Sequence, residues 1–226
     1  MPVSSPRIGF LGGTFNPIHY GHLRAAEETA ESLDLNRVLF IPSAHPPHKD
    51  PSPLVPVRHR LKMAELAVAG RPGFAVSDIE ARRGGPSWTV DTLTHFRRQY
   101  GPRAGLFFLC GVDAFLEVHT WKEYRRLFSL VCFVVFTRPG AAPEELGAFL
   151  AGKVSPRYTW DPGRGAYTCP GRRRVYFRPV SRLDISSTDV RRRVAEGRSV
   201  RYLIPEPVRR YIARHGLYHP EGERKE

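Results

Sequence analysis

Two histidines, His19 and His22, lie three residues apart, shortly after a Gly12-Gly13 pair that ends an apolar segment. Glycines at the end of a strand allow a phosphate group to approach the backbone closely. If a helix begins near His22, its first N–H groups and the positive end of its dipole point at the same place. The segment GFLGGTFNPIHYGHL (9–23) therefore indicates a phosphate-binding site whose two imidazoles face one ligand.

This segment is neither of the two common phosphate-binding motifs. It lacks the Gly-Lys-Ser/Thr ending of a P-loop, and its glycine spacing differs from the G-x-G-x-x-G dinucleotide motif. Two histidines near a helix start are by themselves often capping or surface residues, so the pair alone leaves both interpretations open. The order strand, Gly-Gly, His-x-Gly-His, helix favours a catalytic role.

Further residues suited to binding a nucleotide come later in the chain. Asp113 follows an apolar run and a glycine, where a carboxylate can accept both hydroxyls of a ribose or cap a helix. The segment ISSTDVR (185–191) offers hydroxyl and backbone N–H groups at a helix start, which can cap the helix and bind phosphate together. Arg191 lies one turn along that helix and can reach the same anion.

Five segments in this order resemble the HxGH nucleotidyltransferase superfamily and, more narrowly, the bacterial nicotinate-nucleotide adenylyltransferases. They are GGTFNPIHYGH (12–22), PPHK (46–49), SWTVDTL (87–93), GVDAF (111–115) with Trp121 downstream, and ISSTDVR (185–191). The tail YLIPEPVRRYIARHGLY (202–218) also resembles the family, so the resemblance covers nearly the whole chain. Many relatives have Asp where this chain has Asn16, a change that keeps a polar turn former.

The resemblance implies an enzyme of NAD biosynthesis that transfers the adenylyl group of ATP to nicotinate mononucleotide, giving deamido-NAD and pyrophosphate. It implies four catalytic residues, His19, His22, Lys49 and Arg191. It implies ATP binding by Gly12, Gly13, Thr14, Phe15, Gly111, Asp113, Ile185, Ser186, Ser187 and Thr188. It implies nicotinate mononucleotide binding by Asn16, Lys49, Trp88, Thr89, Trp121 and Lys122.

Within that last group the resemblance also implies roles. The Trp121 ring would stack on the nicotinate ring, and backbone amides at Thr89 and Lys122 would hold its carboxylate. We therefore expect a preference for the acid over the amide. Trp88 is equally compatible with the core and with the pocket wall.

The chemistry of this reaction suits such residues. The nucleophile is a phosphate monoester, whose second pKa of about 6 leaves it mostly dianionic near pH 7. No strong general base is needed, and positioning and electrostatic stabilisation can supply most of the catalysis. We expect Mg²⁺ as cofactor, held mainly by phosphate oxygens and water rather than by a protein site. His45 and His48 resemble a metal pair in residue type, but their Pro-rich loop argues against one.

Apolar segments alternate with helical periodicity, which predicts an α/β fold with a doubly wound, mostly parallel sheet and flanking helices. This is the Rossmann-like nucleotidyltransferase fold that the resemblance implies. Strands are predicted at 7–12, 38–42, 74–79, 105–111, 130–136 and 175–180. Helices are predicted at 22–34, 57–69, about 89–100, around 121–128, 187–196 and 206–215.

Residues 152–174 have no clear period and are rich in Gly, Pro and Arg. We interpret them as a surface insertion with few core contacts, whose replacement by a short linker leaves the fold intact. Residues 1–226 are otherwise expected to form one nucleotidyltransferase domain with a helical C-terminal part at 185–218.

Composition limits the other function classes. A net charge of +13, from 35 basic and 22 acidic residues, indicates a polyanionic partner, either nucleotide phosphates or RNA. An RNA-binding module would leave the ordered motifs unexplained, so nucleic acid is not the expected partner. The phosphopantetheine and glycerol-3-phosphate enzymes of the superfamily share HxGH, but SWTVDTL and GVDAF with Trp121 favour a pyridine nucleotide.

The sequence also carries expectations about location and assembly. Three cysteines without CxxC spacing indicate neither a disulfide framework nor a structural zinc site. No apolar run approaches the roughly 20 residues of a membrane span, and no signal-peptide pattern opens the chain, so a cytoplasmic location is the default. Whether the chain forms a homo-oligomer stays open.

Overall fold

The protein is described by a computed structural model that covers residues 5–46, 54–137, 142–181 and 183–219. Its strands are β1 (Arg7–Gly13), β2 (Arg37–Pro42), β3 (Phe74–Val76), β4 (Gly105–Gly111), β5 (Cys132–Thr137), β6 (Thr159–Asp161), β7 (Ala166–Thr168) and β8 (Val175–Pro179). Its α-helices are α1 (Tyr20–Ser32), α2 (Val57–Val68), α3 (Ile79–Arg83), α4 (Thr89–Tyr100), α5 (Val112–Leu116), α6 (Tyr124–Leu130), α7 (Glu144–Phe149), α8 (Ser187–Ala195) and α9 (Glu206–Arg214).

These strands form a single sheet in the order β3-β2-β1-β4-β5-β8-β7-β6. In this spatial order the five pairings between β3 and β8 are parallel. The two pairings at the other edge, β8 with β7 and β7 with β6, are antiparallel. The chain winds outward from β1 on one side and from β4 on the other, so the strand order reverses between them. The predicted doubly wound, mostly parallel sheet is confirmed, and its switch point is where ligands of such sheets bind.

The central strands are buried on both faces, as parallel strands covered by helices must be. In β4 the side chains of Leu106, Phe107, Phe108, Leu109 and Cys110 are all buried. Phe108 packs in one core layer and Phe107 in the other, because successive side chains of a strand point to opposite faces. The sheet is therefore a rigid base for the loops at its carboxyl edge.

Two predicted boundaries are corrected by local turns. The strand predicted over 74–79 ends at Val76, because α3 begins at Ile79. The helix predicted around 121–128 begins at Tyr124, because Glu123 adopts a left-handed conformation with φ of 49°. Trp121 therefore lies in a turn before the helix, after a 3₁₀ turn at Val118–Thr120.

The expectation of few core contacts in 152–174 was wrong. This segment contains the β6–β7 hairpin, which extends the sheet through antiparallel pairing of β7 with β8. Tyr158, Ala166, Tyr167 and Cys169 are buried, and the Tyr167 hydroxyl donates to the Pro143 carbonyl over 2.9 Å. Strands of only three residues between Gly, Pro and Arg give no readable period, which is why the sequence pattern missed them.

We expect replacement of residues 154–172 by a short Gly/Ser linker to abolish the cooperative thermal melt, monitored by circular dichroism. Removing a large buried side chain costs about 2–5 kcal/mol, and the segment contributes several, against a typical total stability of about 5–15 kcal/mol. Arg157→Ala, an exposed position in the same segment, is the matched control and should melt as the unaltered chain does. A linker variant that melts cooperatively near that temperature would contradict the core role.

Candidate active site

A cavity of about 460 Å³ opens at the carboxyl edge of the sheet beside the β1–β4 switch point. The ends of β1 and β2, the start of α4 and the turn before α6 form its walls. Among its lining residues are Gly12, Gly13, Thr14, Ser43, Trp88, Thr89, Trp121 and Lys122. The structure thus brings the Gly-Gly segment together with four of the residues predicted to bind the pyridine nucleotide.

The two histidines form a stacked pair at the start of α1. Their ring centroids are 3.7 Å apart, and His19 is the N-cap residue of the helix. The backbone N–H of His19 donates to Nδ1 of His22 over 3.3 Å. A Cβ atom on Gly21 would lie 3.0 Å from the His19 ring, so glycine at the third position of His-x-Gly-His leaves room for the buried imidazole.

His19 and His22 differ in exposure and therefore in how well each can contact a ligand. His19 is buried, and its Nδ1 has no hydrogen-bond partner among the described residues. Burial lowers the pKa of His19 from 6.5 to about 4, so this ring is neutral near pH 7. His22 is only partly buried. Its ring packs edge-on with that of Phe15, with ring centroids 5.0 Å apart. We infer that His22 is the better placed of the two to meet a ligand.

Asn16 is a junction between residues 12–17, here called the glycine loop, and the C-terminal part of the chain. Its side-chain oxygen accepts from the Tyr218 hydroxyl over 2.9 Å, and its backbone carbonyl accepts from Arg191 over 2.9 Å. The Ser187 hydroxyl donates to the neighbouring Pro17 carbonyl over 2.8 Å. The segment 185–191 is therefore held against the glycine loop, although 170 residues separate them.

The start of α8 shows how capping and ligand binding can coexist. Ser186 is the N-cap residue and accepts from the Asp189 backbone N–H over 3.0 Å. Thr188 accepts from the Arg191 guanidinium over 3.2 Å, and Ile185 is half-buried beside the core. The expected cap is confirmed, and the remaining N–H groups of this first turn have no intrahelical acceptor.

The aromatic wall of the cavity comes from Trp88 and Trp121. Trp121 is half-buried and meets Phe108 edge-on, with ring centroids 6.0 Å apart at 90°. The Lys122 ammonium lies 3.2 Å from an Asp91 oxygen and 5.8 Å from the Trp88 ring centroid. The Lys122 side chain is thus held by Asp91, and in the described part of the chain neither Thr89 nor Lys122 donates its backbone N–H to a backbone carbonyl.

Asp113 lies apart from this cavity. It is exposed in the first turn of α5, whose N-cap is Gly111, so the capping interpretation of Asp113 is wrong. Asp113 lines a second cavity of about 240 Å³ together with Thr137, at the carboxyl end of β5. The Thr137 hydroxyl is buried and has no hydrogen-bond partner within the described ranges. A polar ligand in this smaller cavity would meet a carboxylate and a hydroxyl.

Comparisons with known proteins agree with this geometry. A sequence model of the cytidylyltransferase-like family matches residues 10–193. A protein of Desulfatibacillum aliphaticivorans named "Probable nicotinate-nucleotide adenylyltransferase" is 44% identical, over 94% of this chain and 99% of that protein. One of the same name from Thermomicrobium roseum is 45% identical, over 94% and 91%. The chain belongs to the cytidylyltransferase-like family, among its nicotinate-nucleotide adenylyltransferases.

Solved structures of adenylyltransferases share the fold. The Plasmodium falciparum nicotinic acid mononucleotide adenylyltransferase complexed with NaAD aligns with a TM-score of 0.70, at 18% identity over 94% of this chain and 97% of that one. The same enzyme complexed with APC aligns with a TM-score of 0.68. None of the helices in the described ranges is both long and apolar enough to cross a bilayer.

One predicted residue of the adenylyltransferase site, Lys49, lies outside the described residues, as does His48. The start of their motif is anchored, however. The His45 backbone N–H donates to the Ser87 hydroxyl over 3.0 Å, and the Ser87 backbone N–H donates to the His45 carbonyl over 3.0 Å. The chain that leads into PPHK is therefore joined to the SWTVDTL segment.

Sequence reasoning did not single out three residues in or beside the larger cavity. Glu80 and Thr92 line the larger cavity, and the Thr92 hydroxyl donates to Glu80 over 2.8 Å. Glu80 lies in α3, a helix that the sequence pattern did not predict because the preceding strand was predicted to run to 79. Arg60 is almost fully buried beneath the glycine loop. The sequence could have indicated that Arg60 is buried, because position 60 shares a helical face with Ala64 and Val68, where core residues are expected.

Proposed function

We propose that this chain transfers the adenylyl group of ATP to the phosphate of nicotinate mononucleotide, with pyrophosphate as the leaving group and deamido-NAD as the product. The observation that carries the proposal is the junction of two sites at one sheet edge. The Gly12-Gly13 loop with the histidine pair adjoins a cavity of about 460 Å³ walled by two tryptophans. A phosphate site beside an aromatic slot fits a nucleotide whose base is a flat ring.

The ATP side is proposed along the carboxyl ends of β1, β4 and β5. Backbone N–H groups of Gly13 and Thr14 and the first turn of α8 would receive the phosphates, with His22, Lys49 and Arg191 as the polar side chains around them. Asp113, in the smaller cavity beside Thr137, would accept the ribose hydroxyls. The nicotinate mononucleotide phosphate, already dianionic near pH 7, would attack the α-phosphorus in line.

Mg²⁺ is the proposed cofactor, and the groups around the phosphate site fit its delivery on ATP. These groups are N–H donors, hydroxyls and imidazoles. Across the described residues no three His, Cys, Asp or Glu side chains are grouped to hold a metal ion, so phosphate oxygens and water would supply most of its ligands. When bound, the ion neutralises phosphate charge and so lowers the repulsion between the two anionic substrates.

The proposal predicts that the purified chain, given ATP, Mg²⁺ and nicotinate mononucleotide, releases pyrophosphate and forms deamido-NAD in equal amounts. Chromatography of the nucleotide and a coupled pyrophosphate assay measure the two products independently. Phosphopantetheine with ATP, and glycerol 3-phosphate with CTP, serve as acceptor controls and should give no product, since neither acceptor has a flat ring for the tryptophan-walled cavity. Turnover of either control, with none of a pyridine mononucleotide, would assign the chain to another branch of the superfamily.

A further inference from the structure

Arg60 is a buried cation that binds the backbone of the glycine loop. Only 2% of it is exposed. Its guanidinium donates to the carbonyls of Thr14 over 2.9 Å, Ser43 over 2.6 Å, Ala44 over 3.2 Å and Val55 over 3.0 Å. One side chain of α2 therefore joins the glycine loop, the residues after β2 and Val55, two residues before α2.

The charge of Arg60 is offset by these carbonyl dipoles and by attraction to the nearby Glu80 carboxylate. Arg60 forms no ion pair within the described ranges. Burial lowers the pKa of this guanidinium, yet an arginine remains protonated near neutral pH. Burying a cation costs free energy unless hydrogen bonds or opposite charges compensate its desolvation. Thr14 and Ser43, whose carbonyls it binds, both line the larger cavity, so a positive charge lies directly behind the wall of that cavity.

The bond to Thr14 also fixes a strained turn. Phe15, the next residue, has φ of 48°, a left-handed conformation that a bulky side chain rarely adopts. Because the C=O and N–H of one trans peptide point in opposite directions, turning the Thr14 carbonyl toward Arg60 directs the Phe15 N–H away from it. The buried Phe15 ring packs beneath Gly13. Two independent contacts therefore set the orientation of the N–H groups in this loop.

We propose that Arg60 is a positioning residue for adenylyl transfer, which holds the Thr14–Phe15 turn in its ligand-binding orientation and supplies positive charge behind it. The inference rests on the proposed function, since the anion that meets the loop is taken to be the ATP phosphates. It differs from a purely structural role, because it requires an effect on the intact, folded enzyme.

The test compares Arg60→Gln and Arg60→Lys with Arg97→Gln, each assayed at least 20 °C below its own melting temperature. Arg97 is the matched control because it also donates to backbone carbonyls, those of Leu130, Gly101 and Ala104, and lies away from the cavity. We expect Arg60→Gln to lower kcat by roughly 10- to 10²-fold, as misplaced reacting groups do, and to raise KM for ATP. Arg60→Lys, which keeps the charge but not the fork, should fall between.

Arg97→Gln should lower the melting temperature and leave kcat within about twofold, because a stability loss alone has no effect far below the melting temperature. Wild-type kcat and KM in Arg60→Gln would overturn the proposal, as would an equal loss of kcat in Arg97→Gln. Should Arg60→Gln fail to fold, Arg60→Lys decides by the same two criteria. Should the unaltered chain make no deamido-NAD, the proposed function fails separately, and Kd for ATP by calorimetry in Arg60→Lys still decides whether Arg60 serves an ATP site.

Discussion

His22→Ala is expected to lower kcat by about 10²-fold or more while changing substrate binding much less, the signature of a lost transition-state contact. The structure indicates why. The His19 backbone N–H donates to Nδ1 of His22, so in the neutral ring Nδ1 is the acceptor and the proton sits on Nε2. The Nε2–H of this partly buried ring, beside the glycine loop, is suited to charge that develops as pyrophosphate leaves.

His19 should contribute through this arrangement rather than through its own charge. Because burial lowers the pKa of His19 to about 4, the ring is neutral from about pH 5 upward, and its titration should not shape the rate profile between pH 6 and 9. Loss of its ring removes the stacking that holds His22, so we expect His19→Ala to lower kcat less than His22→Ala.

Steady-state kinetics over a range of both substrates separates these effects, and the exposed His95→Ala on α4 is the control, with unchanged constants. The result that would move the catalytic donor elsewhere is a near-wild-type kcat for His22→Ala. A rise in KM alone, with kcat retained, would instead show that His22 binds the ground state and the transition state equally.

The sequence was most informative where spacing alone constrains geometry. The histidine pair at a helix start and the Ser186 cap are local patterns, and each lies where its pattern predicted. The Gly12-Gly13 pair was expected to form a turn, but both glycines belong to the end of β1. The alternation of apolar runs with helices predicted the parallel sheet, because burial on both faces leaves little choice of residue. These signals are contained within a few residues or one element.

Long-range contacts could not be predicted in the same way. Nothing near Arg60 in the chain shows that its donors meet carbonyls at Thr14 and Ser43, and nothing near Tyr218 shows that it binds Asn16. The β6–β7 hairpin escaped detection because its strands are only three residues long, too short for a two-residue alternation to repeat. Such contacts depend on how elements pack, which single-sequence periodicity does not describe.

The site also raises the question of which pyridine nucleotide it prefers. Nicotinate carries a carboxylate where nicotinamide carries a neutral amide, so discrimination needs N–H donors that face this group. Thr89 is the first residue of α4, where backbone N–H groups have no intrahelical acceptor and the helix dipole is positive. Lys122 lies across the cavity in the turn before α6. Both residues line the cavity beside Trp121.

The electrostatic surroundings favour backbone rather than side-chain recognition of that carboxylate. The Lys122 ammonium forms an ion pair with Asp91, which reduces its attraction for an anion in the cavity. Glu80 places a further carboxylate in the same wall, buried, with one oxygen lacking a hydrogen-bond partner in the described part. We therefore attribute the selection of an anionic ring substituent to directed backbone N–H donors rather than to the Lys122 ammonium.

We expect kcat/KM for nicotinate mononucleotide to exceed that for nicotinamide mononucleotide by roughly 10²-fold or more, since two charge-assisted hydrogen bonds worth about 1.5 kcal/mol each give that ratio. Trp121→Ala should weaken both substrates alike through lost stacking, and Lys122→Ala should leave the ratio unchanged because only its backbone N–H is used. Thr89→Pro, which removes one N–H at a helix position that tolerates proline, should reduce the ratio by about tenfold. Side-by-side kinetics of the four proteins decide the matter: equal kcat/KM for acid and amide in the unaltered chain, or a ratio that collapses in Lys122→Ala, would mean that these backbone groups do not recognise the carboxylate.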